Sequence, residues 1–342
     1  MALDKGNMLE AIKSFPQQCK EALSLTKGLS VPGETRNVVI CGMGGSAMGG
    51  DLLKAYMSSA NVPVHVNRGY KVPGFVNDKS LVFAVSYSGN TEETLSSYFD
   101  AHQRNAKIIG ISSGGKLAEE CSRLIKIPAG MQPRAALGYL FFPMLGVLHN
   151  ANLVRVRNEE LNEMFEILKK NEKPMAEAEA LAKKLKDKIP LIYSSEQLYP
   201  VAMRWKTQIN ENAKMAAFWN VFPEMNHNEI AAYQSMDSKY APVFIRDRND
   251  NERVRKRMDI CKEIMEKRME QMRPLHKSVL AVLSLFLIFS LVGCAREVPE
   301  ETVEGAVDSL GDDVQDLEEF DDLAQELDED VLKELEELEG LE

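Results

Sequence analysis

Short apolar runs recur along the first half of the chain, each followed by a stretch in which apolar residues return every three or four positions. The runs NVVICG, VPVHVN, SLVFAVS, KIIGIS and RLIKIP read as strands, and segments such as 51–58 and 91–104 have helical spacing. Strands alternating with helices at this rhythm predict a parallel sheet covered on both faces. Residues 1–27 predict one lead-in helix with Met8, Leu9, Ile12, Phe15, Ala22, Leu23 and Leu25 on its apolar side.

The rhythm then repeats. A charged helical stretch from about Asn158, broken at Pro174, delivers the chain to IPLIYSS, and a helix, MAAFWNVF, another helix and APVFIRD follow. The expected fold is α/β, with two tandem three-layer αβα domains built on parallel sheets. The expected boundaries are 1–155 for the first domain, 156–270 for an incomplete second, 271–296 for a hydrophobic segment and 297–342 for an acidic tail.

Two loops carry the chemistry. GMGGSA, residues 42–47, lies between a strand and a helix, where backbone N–H groups and the positive end of a helix dipole suit phosphate. It formally matches the dinucleotide fingerprint G-x-G-x-x-A, which expects a carboxylate at the end of the second strand. That strand ends in Asn67 and Arg68 instead, and no Gly-Lys-Ser/Thr follows for a nucleotide triphosphate. A turn chosen only for packing stays open for this loop taken alone. The second loop, SYSGNTEET, places Ser86, Ser88, Asn90 and Thr91 between a strand and a helix, with Thr91 or Asn90 available to cap that helix. A cap needs one hydroxyl, and here there are three. Hydroxyls in place of lysines suit a sugar phosphate monoester better than nucleic acid.

With ISSGGKLAE, PAGMQPRAALGY, INENAK and PEMNHNE alongside these loops, the chain resembles the SIS (sugar isomerase) fold over about residues 8–266. More closely it is similar to the bifunctional phosphoglucose/phosphomannose isomerases of archaea and some bacteria. The resemblance implies two tandem SIS domains and interconversion of glucose 6-phosphate or mannose 6-phosphate with fructose 6-phosphate through a cis-enediol. It implies that Gly45, Ser46, Ser86, Ser88 and Thr91 line the phosphate site. Arg134 would stand beside the oxygens of C1 and C2, Glu211 would be the base, and His227 would open the sugar ring from the other subunit of a homodimer. It implies a cytoplasmic enzyme with no cofactor and no metal. The chemistry is consistent: one carboxylate can move a proton between C2 and C1, a guanidinium stabilises the enediolate, and histidine protonates a ring oxygen near neutral pH. Taken singly, Glu211 reads as a solvated helix residue, Arg134 as an ion-pair partner and His227 as a polar loop residue.

The resemblance stops near Lys267, where the family continues with a strand, a helix and a segment carrying a lysine that assists ring opening. In its place stands MRPLHKSVLAVLSLFLIFSLVGCA, with a basic start, an apolar run over 279–292 and Cys294, the anatomy of a lipoprotein secretory signal. A buried helix, a membrane contact through 279–292 and a fusion or misjoined reading frame compete for it, and the last is the favoured reading. The expected second domain is therefore truncated, and a non-catalytic sugar-phosphate-binding SIS protein is the alternative function. Charge follows the same division: of the net −11, residues 301–342 contribute 19 acidic groups against Lys333, leaving residues 1–300 at +7. Such a tail is a solvated extension or a partner-binding helix. Five scattered cysteines, without a CxxC pair, indicate reduced thiols.

Overall fold

In the computed structural model the described residues are Asp4, 6–170, 172–233, Met236 and 239–268. They form two compact units, which divide between Lys173 and Pro174.

The first unit opens with α1 (Met8–Lys13) and α2 (Phe15–Ser24), two helices where the periodicity predicts one. Pro16 has no N–H to continue the ladder, so the helix restarts there, and only α2 buries an apolar face. Five parallel strands follow: β1 (Asn37–Cys41), β2 (Val64–Asn67), β3 (Ser80–Val85), β4 (Lys107–Ser112) and β5 (Leu124–Lys126). Their spatial order is β2-β1-β3-β4-β5. β1 and β3 are central and apolar, with Val38 to Cys41 and Leu81 to Val85 fully buried.

Helices α3 (Gly44–Tyr56), α4 (Glu92–Gln103) and α5 (Gly115–Glu120) connect the strands. Ala101 of α4 packs with Val72, Val76, Val39 and Val82, while Tyr98 of α4 and Leu117 of α5 pack on Ala84. Helix α6 (Leu137–Asn150) is buried without interruption from Leu137 to Leu148 and packs against α2 and α3. Each large apolar side chain removed from water there contributes roughly 1.5–3 kcal/mol. Helix α7 (Asn158–Leu168) also lies against α2 and so belongs to this unit.

Helix α8 (Glu172–Leu185) opens the second unit's part of the chain. Pro174 stands at the break the sequence suggests, since the helical stretch is interrupted just ahead of it, between α7 and α8. It falls in the first turn of α8, where its missing N–H has no helical acceptor to lose. Strands β6 (Ile189–Ser195), β7 (Phe218–Phe222) and β8 (Tyr240–Ile245) form a parallel sheet in the order β7-β6-β8. Helices α9 (Tyr199–Gln208), α10 (Glu229–Ala232) and α11 (Glu252–Arg268) connect and cover them. Leu191 and Tyr193 of β6, Phe222 of β7, Ile230 and Tyr233 from α10, and Met258, Cys261, Ile264 and Met265 of α11 share one core.

Among the described residues the second sheet has three strands and no helix is long and apolar enough to cross a membrane. The run 279–292 and the acidic tail lie outside the described residues.

Candidate active site

Strand order 2-1-3-4-5 creates a crevice at the carboxyl ends of β1 and β3, because the chain leaves these neighbours toward opposite faces of the sheet. The two loops singled out in the sequence meet there. The Tyr87 N–H donates to Ser46 Oγ at 3.3 Å, tying the start of α3 to the β3–α4 loop. Ser86, fully buried, is the hub of that loop. Its hydroxyl lies 2.9 Å from Thr91 Oγ1 and 3.5 Å from Ser88 Oγ, and it accepts the Gly89 N–H at 3.0 Å. Gly45, Ser46, Ser86, Ser88 and Thr91 thus belong to one pair of interlocked loops, at the start of two helices whose first N–H groups have no helical acceptor.

The structure corrects one expectation. Thr91 occupies the N-cap position of α4, but neither it nor Asn90 caps the helix through its side chain. Thr91 turns its hydroxyl to Ser86, and Asn90 uses its amide oxygen to accept the Lys116 N–H at 3.0 Å. Both groups are spent on holding the loop, leaving the helix N–H groups open to an anion.

Two further walls close on this crevice, and the sequence did not single out the residues that hold them. Tyr87 donates to the Pro128 carbonyl at 2.9 Å and accepts the Met131 N–H at 2.8 Å, pinning the strap that leads to a 3₁₀ turn at Pro133–Ala135. Gln18 of α2 holds the other side of that turn through Ala135 O at 3.1 Å and the Gly138 N–H at 2.6 Å. A Cβ on Gly45 would come within 3.0 Å of the Pro133 carbonyl oxygen, so the strap's backbone and the glycine loop are in close approach. Arg134 sits on this turn, half-buried, and donates to Gln132 Oε1 at 3.0 Å.

The other wall is the β4–α5 turn. Gly89 has φ +73°, and Ser112 Oγ, the Gly114 N–H and the Gly114 carbonyl form a tight turn against it. The only hint of these contacts in the sequence is the hydroxyl-glycine run ISSGG itself.

Glu211 and His227 belong to the second unit. Glu211 lies on a π-helical turn, Ile209–Ala213, which ends in Lys214 at φ +58°. Such turns cluster at functional sites. Its carboxylate interacts with Arg204, whose guanidinium is drawn down to about 10 by burial and held up in part by Glu211. Lys214 Nζ donates to the Glu211 carbonyl at 2.6 Å, and Asn210 Nδ2 to Met215 O at 2.8 Å, fixing the turn.

His227 ends the 3₁₀ turn Glu224–His227 that follows β7. The π-helical turn precedes the amino end of β7, whereas His227 follows its carboxyl end. Five residues of strand, about 3.3 Å each, intervene. The structure does not bring Glu211 and His227 together within this unit.

Two sheets of this kind, the first with a hydroxyl-rich anion crevice, define a pair of SIS domains. Residues 34–149 match the SIS domain model, and residues 175–292 match the model described as the bacterial phospho-glucose isomerase C-terminal SIS domain. The second match passes beyond residue 266, where the motif likeness ends.

The chain belongs to the bifunctional phosphoglucose/phosphomannose isomerase family. It is 42% identical to the protein of that name from Caldicellulosiruptor bescii over 279 residues, covering 76% of this chain and 82% of the relative. A D-glucosamine-6-phosphate 4-epimerase from Sulfolobus acidocaldarius is 35% identical over 224 residues, covering 63% and 71%. Among solved structures, the C-terminal domain of glucosamine-fructose-6-phosphate aminotransferase from Francisella tularensis superposes with TM-score 0.59 at 18% identity. It covers 84% of this chain and 94% of that one, and at that identity the likeness speaks to fold alone.

Proposed function

We propose that the protein is an aldose–ketose isomerase that interconverts glucose 6-phosphate or mannose 6-phosphate with fructose 6-phosphate. The observation that carries this reading is the hydroxyl cluster at the β1/β3 switch point, Ser46, Ser86, Ser88 and Thr91, beside the starts of α3 and α4. A phosphate monoester fits there through N–H and O–H donors, with Gly45 letting the backbone approach closely.

Glu211 then removes the C2 proton and returns it to C1, and Arg134 stabilises the charge that builds on the two oxygens of the enediolate. His227 protonates the ring oxygen as the ring opens. C2 and the ring oxygen are two bonds apart in the sugar, so the groups serving them must come close together. Glu211 and His227 flank opposite ends of β7, and this supports a homodimer in which a second copy of the chain supplies the histidine.

The test is to incubate purified protein with fructose 6-phosphate and quantify glucose and mannose 6-phosphates, beside Glu211→Gln. Both aldoses should form, and the variant should lose a factor of about 10²–10⁴. Equal traces from the two proteins would overturn the catalytic reading in favour of a sugar-phosphate-binding role. The similarity to a 4-epimerase motivates one more arm with glucosamine 6-phosphate: an epimerised product without any aldose from fructose 6-phosphate would assign the same site to that reaction.

A further inference from the structure

Glu229 follows His227 by two residues and is the first residue of α10. Its Oε1 accepts the Asn220 amide at 2.7 Å, from β7, and its Oε2 accepts the Tyr193 hydroxyl at 2.9 Å, from β6. The Tyr193 oxygen in turn lies 2.8 Å from the Tyr233 hydroxyl. The directions in this chain are forced. A carboxylate only accepts, so Tyr193 spends its proton on Glu229 and Tyr233 must donate to Tyr193. Burial, together with the other tyrosine and the nearby Glu229, pushes the Tyr193 phenol far above its ordinary range, so it stays a donor. Tyr193 and Tyr233 are each about 1% exposed.

The rest of the turn is anchored too. Met225 is in the core, and Asn226 is fully buried; with its amide turned so that nitrogen faces the carbonyl and oxygen the guanidinium, it donates to Pro223 O at 2.7 Å and accepts from Arg257 at 3.0 Å. Asn228 caps α10 through the Glu229 N–H at 2.7 Å and reaches Glu224 at 2.8 Å. Of the polar side chains in this run, His227 is the one for which no hydrogen bond is found among the described residues. A segment fixed on both sides, with one imidazole left over, is built to present that imidazole.

We infer that Glu229, clamped between Asn220 and Tyr193, is the positioning residue for His227. The inference rests on the ring-opening role proposed for that histidine. Glu229 touches no substrate in this account and acts only through the turn. Glu229→Gln keeps both clamp contacts, with its Oε1 accepting from Asn220 and its amide donating to Tyr193; Tyr193 redirects its proton to Tyr233, and the one loss is the acceptor of the Tyr233 hydroxyl. Glu229→Ala removes both acceptors and frees the turn. A misplacement of about 1 Å at a reacting group is worth on the order of a hundredfold in rate.

The experiment measures kcat and KM for glucose 6-phosphate in Glu229→Ala, Glu229→Gln, His227→Ala and the His227→Ala/Glu229→Ala double variant. Calorimetric titration with 6-phosphogluconate counts the intact binding sites in each. Glu229→Ala should lose at least tenfold in kcat per binding site with KM and stoichiometry unchanged. Glu229→Gln should stay within about threefold of wild type, and Glu229→Ala should cost nothing further once His227 is gone. A rate loss matched by lost binding sites, a Gln variant as slow as the Ala variant, or an additive double variant would each overturn the inference. An inactive wild type would instead overturn the isomerase reading, and this inference with it.

Discussion

Gly89→Ala is a quantitative test of the interlocked loops. At φ +73° a non-glycine residue pays roughly 1–2 kcal/mol in backbone strain alone. The new Cβ would also stand 2.7 Å from the Gly114 carbonyl carbon and 2.8 Å from Ser112 Oγ, well inside the separation of about 3.5–4.0 Å at which carbon atoms attract. Relief requires the β3–α4 and β4–α5 loops to part. That stretches the Leu117 N–H to Gly89 O bond of 2.9 Å and loosens the Ser112 Oγ to Gly114 O bond of 2.7 Å. At about 1 kcal/mol for each weakened bond, the whole change comes to roughly 3–4 kcal/mol. For a unit of this size the thermal midpoint should fall by about 6–16 °C. Gly74→Ala is the matched control, since nothing lies within 4 Å of its added Cβ and its φ is not positive. Scanning calorimetry of the two variants decides the matter: a Gly89→Ala midpoint equal to that of Gly74→Ala would refute the claim that these loops are locked together.

Three other expectations follow from the same geometry. Ser86→Ala strips the hub from the phosphate loop, removing the hydroxyl partner of Thr91 Oγ1 and leaving the Gly89 N–H only the Ser86 carbonyl at 3.1 Å, so it should cost about 0.5–1.5 kcal/mol in urea denaturation and raise KM for fructose 6-phosphate by at least tenfold; an unchanged KM would remove Ser86 from the site. Burial above all raises the Asp250 carboxyl, so ionising it penalises the folded state, and that penalty is absent below the unfolded value of about 3.9 and complete once pH exceeds the folded value. Asp250→Asn should therefore melt higher than wild type at pH 7 and lose its advantage near pH 3, and the opposite order would refute the assignment. Mixing inactive Glu211→Gln and His227→Ala proteins under subunit exchange should restore about a quarter of wild-type activity if sites are shared, because half the dimers are mixed and each mixed dimer has one intact site; no recovery after verified exchange would place both groups in one chain.

The strands of the first sheet were legible because β1, β3 and β4 are apolar runs bounded by glycine and polar residues, which periodicity detects directly. Helix α3 was harder. Its first turns are GGSAMGG, a composition that reads as loop, and the predicted helix at 51–58 begins seven residues late. Those glycines are helical because α6 and β1 press against them: a Cβ on Gly49 would lie 2.7 Å from the Leu140 carbonyl oxygen, and one on Gly50 2.9 Å from Ile40 Cγ2. Local propensity says loop and tertiary packing overrides it. The hydroxyl cluster was visible as composition, whereas its partnering was not. Nothing in SYSGNT indicates that Thr91 would turn to Ser86 or that Tyr87 would pin a strap some forty residues away.

The second unit shows a different limit, since distance along the chain misleads about distance in the fold. Glu211 and His227 stand in neighbouring motifs, INENAK and PEMNHNE, and it is the family resemblance, not their spacing, that implies the histidine comes from another subunit. In the fold β7 runs between them, and a parallel strand carries whatever precedes it to one end of the sheet and whatever follows it to the other. Glu229, by contrast, looks from the sequence like one more surface carboxylate, but the fold sets it between a β6 tyrosine and a β7 asparagine at the end where His227 emerges. What decides a residue's function here is the end of the strand on which it falls. That follows from strand order and direction, which no local pattern encodes.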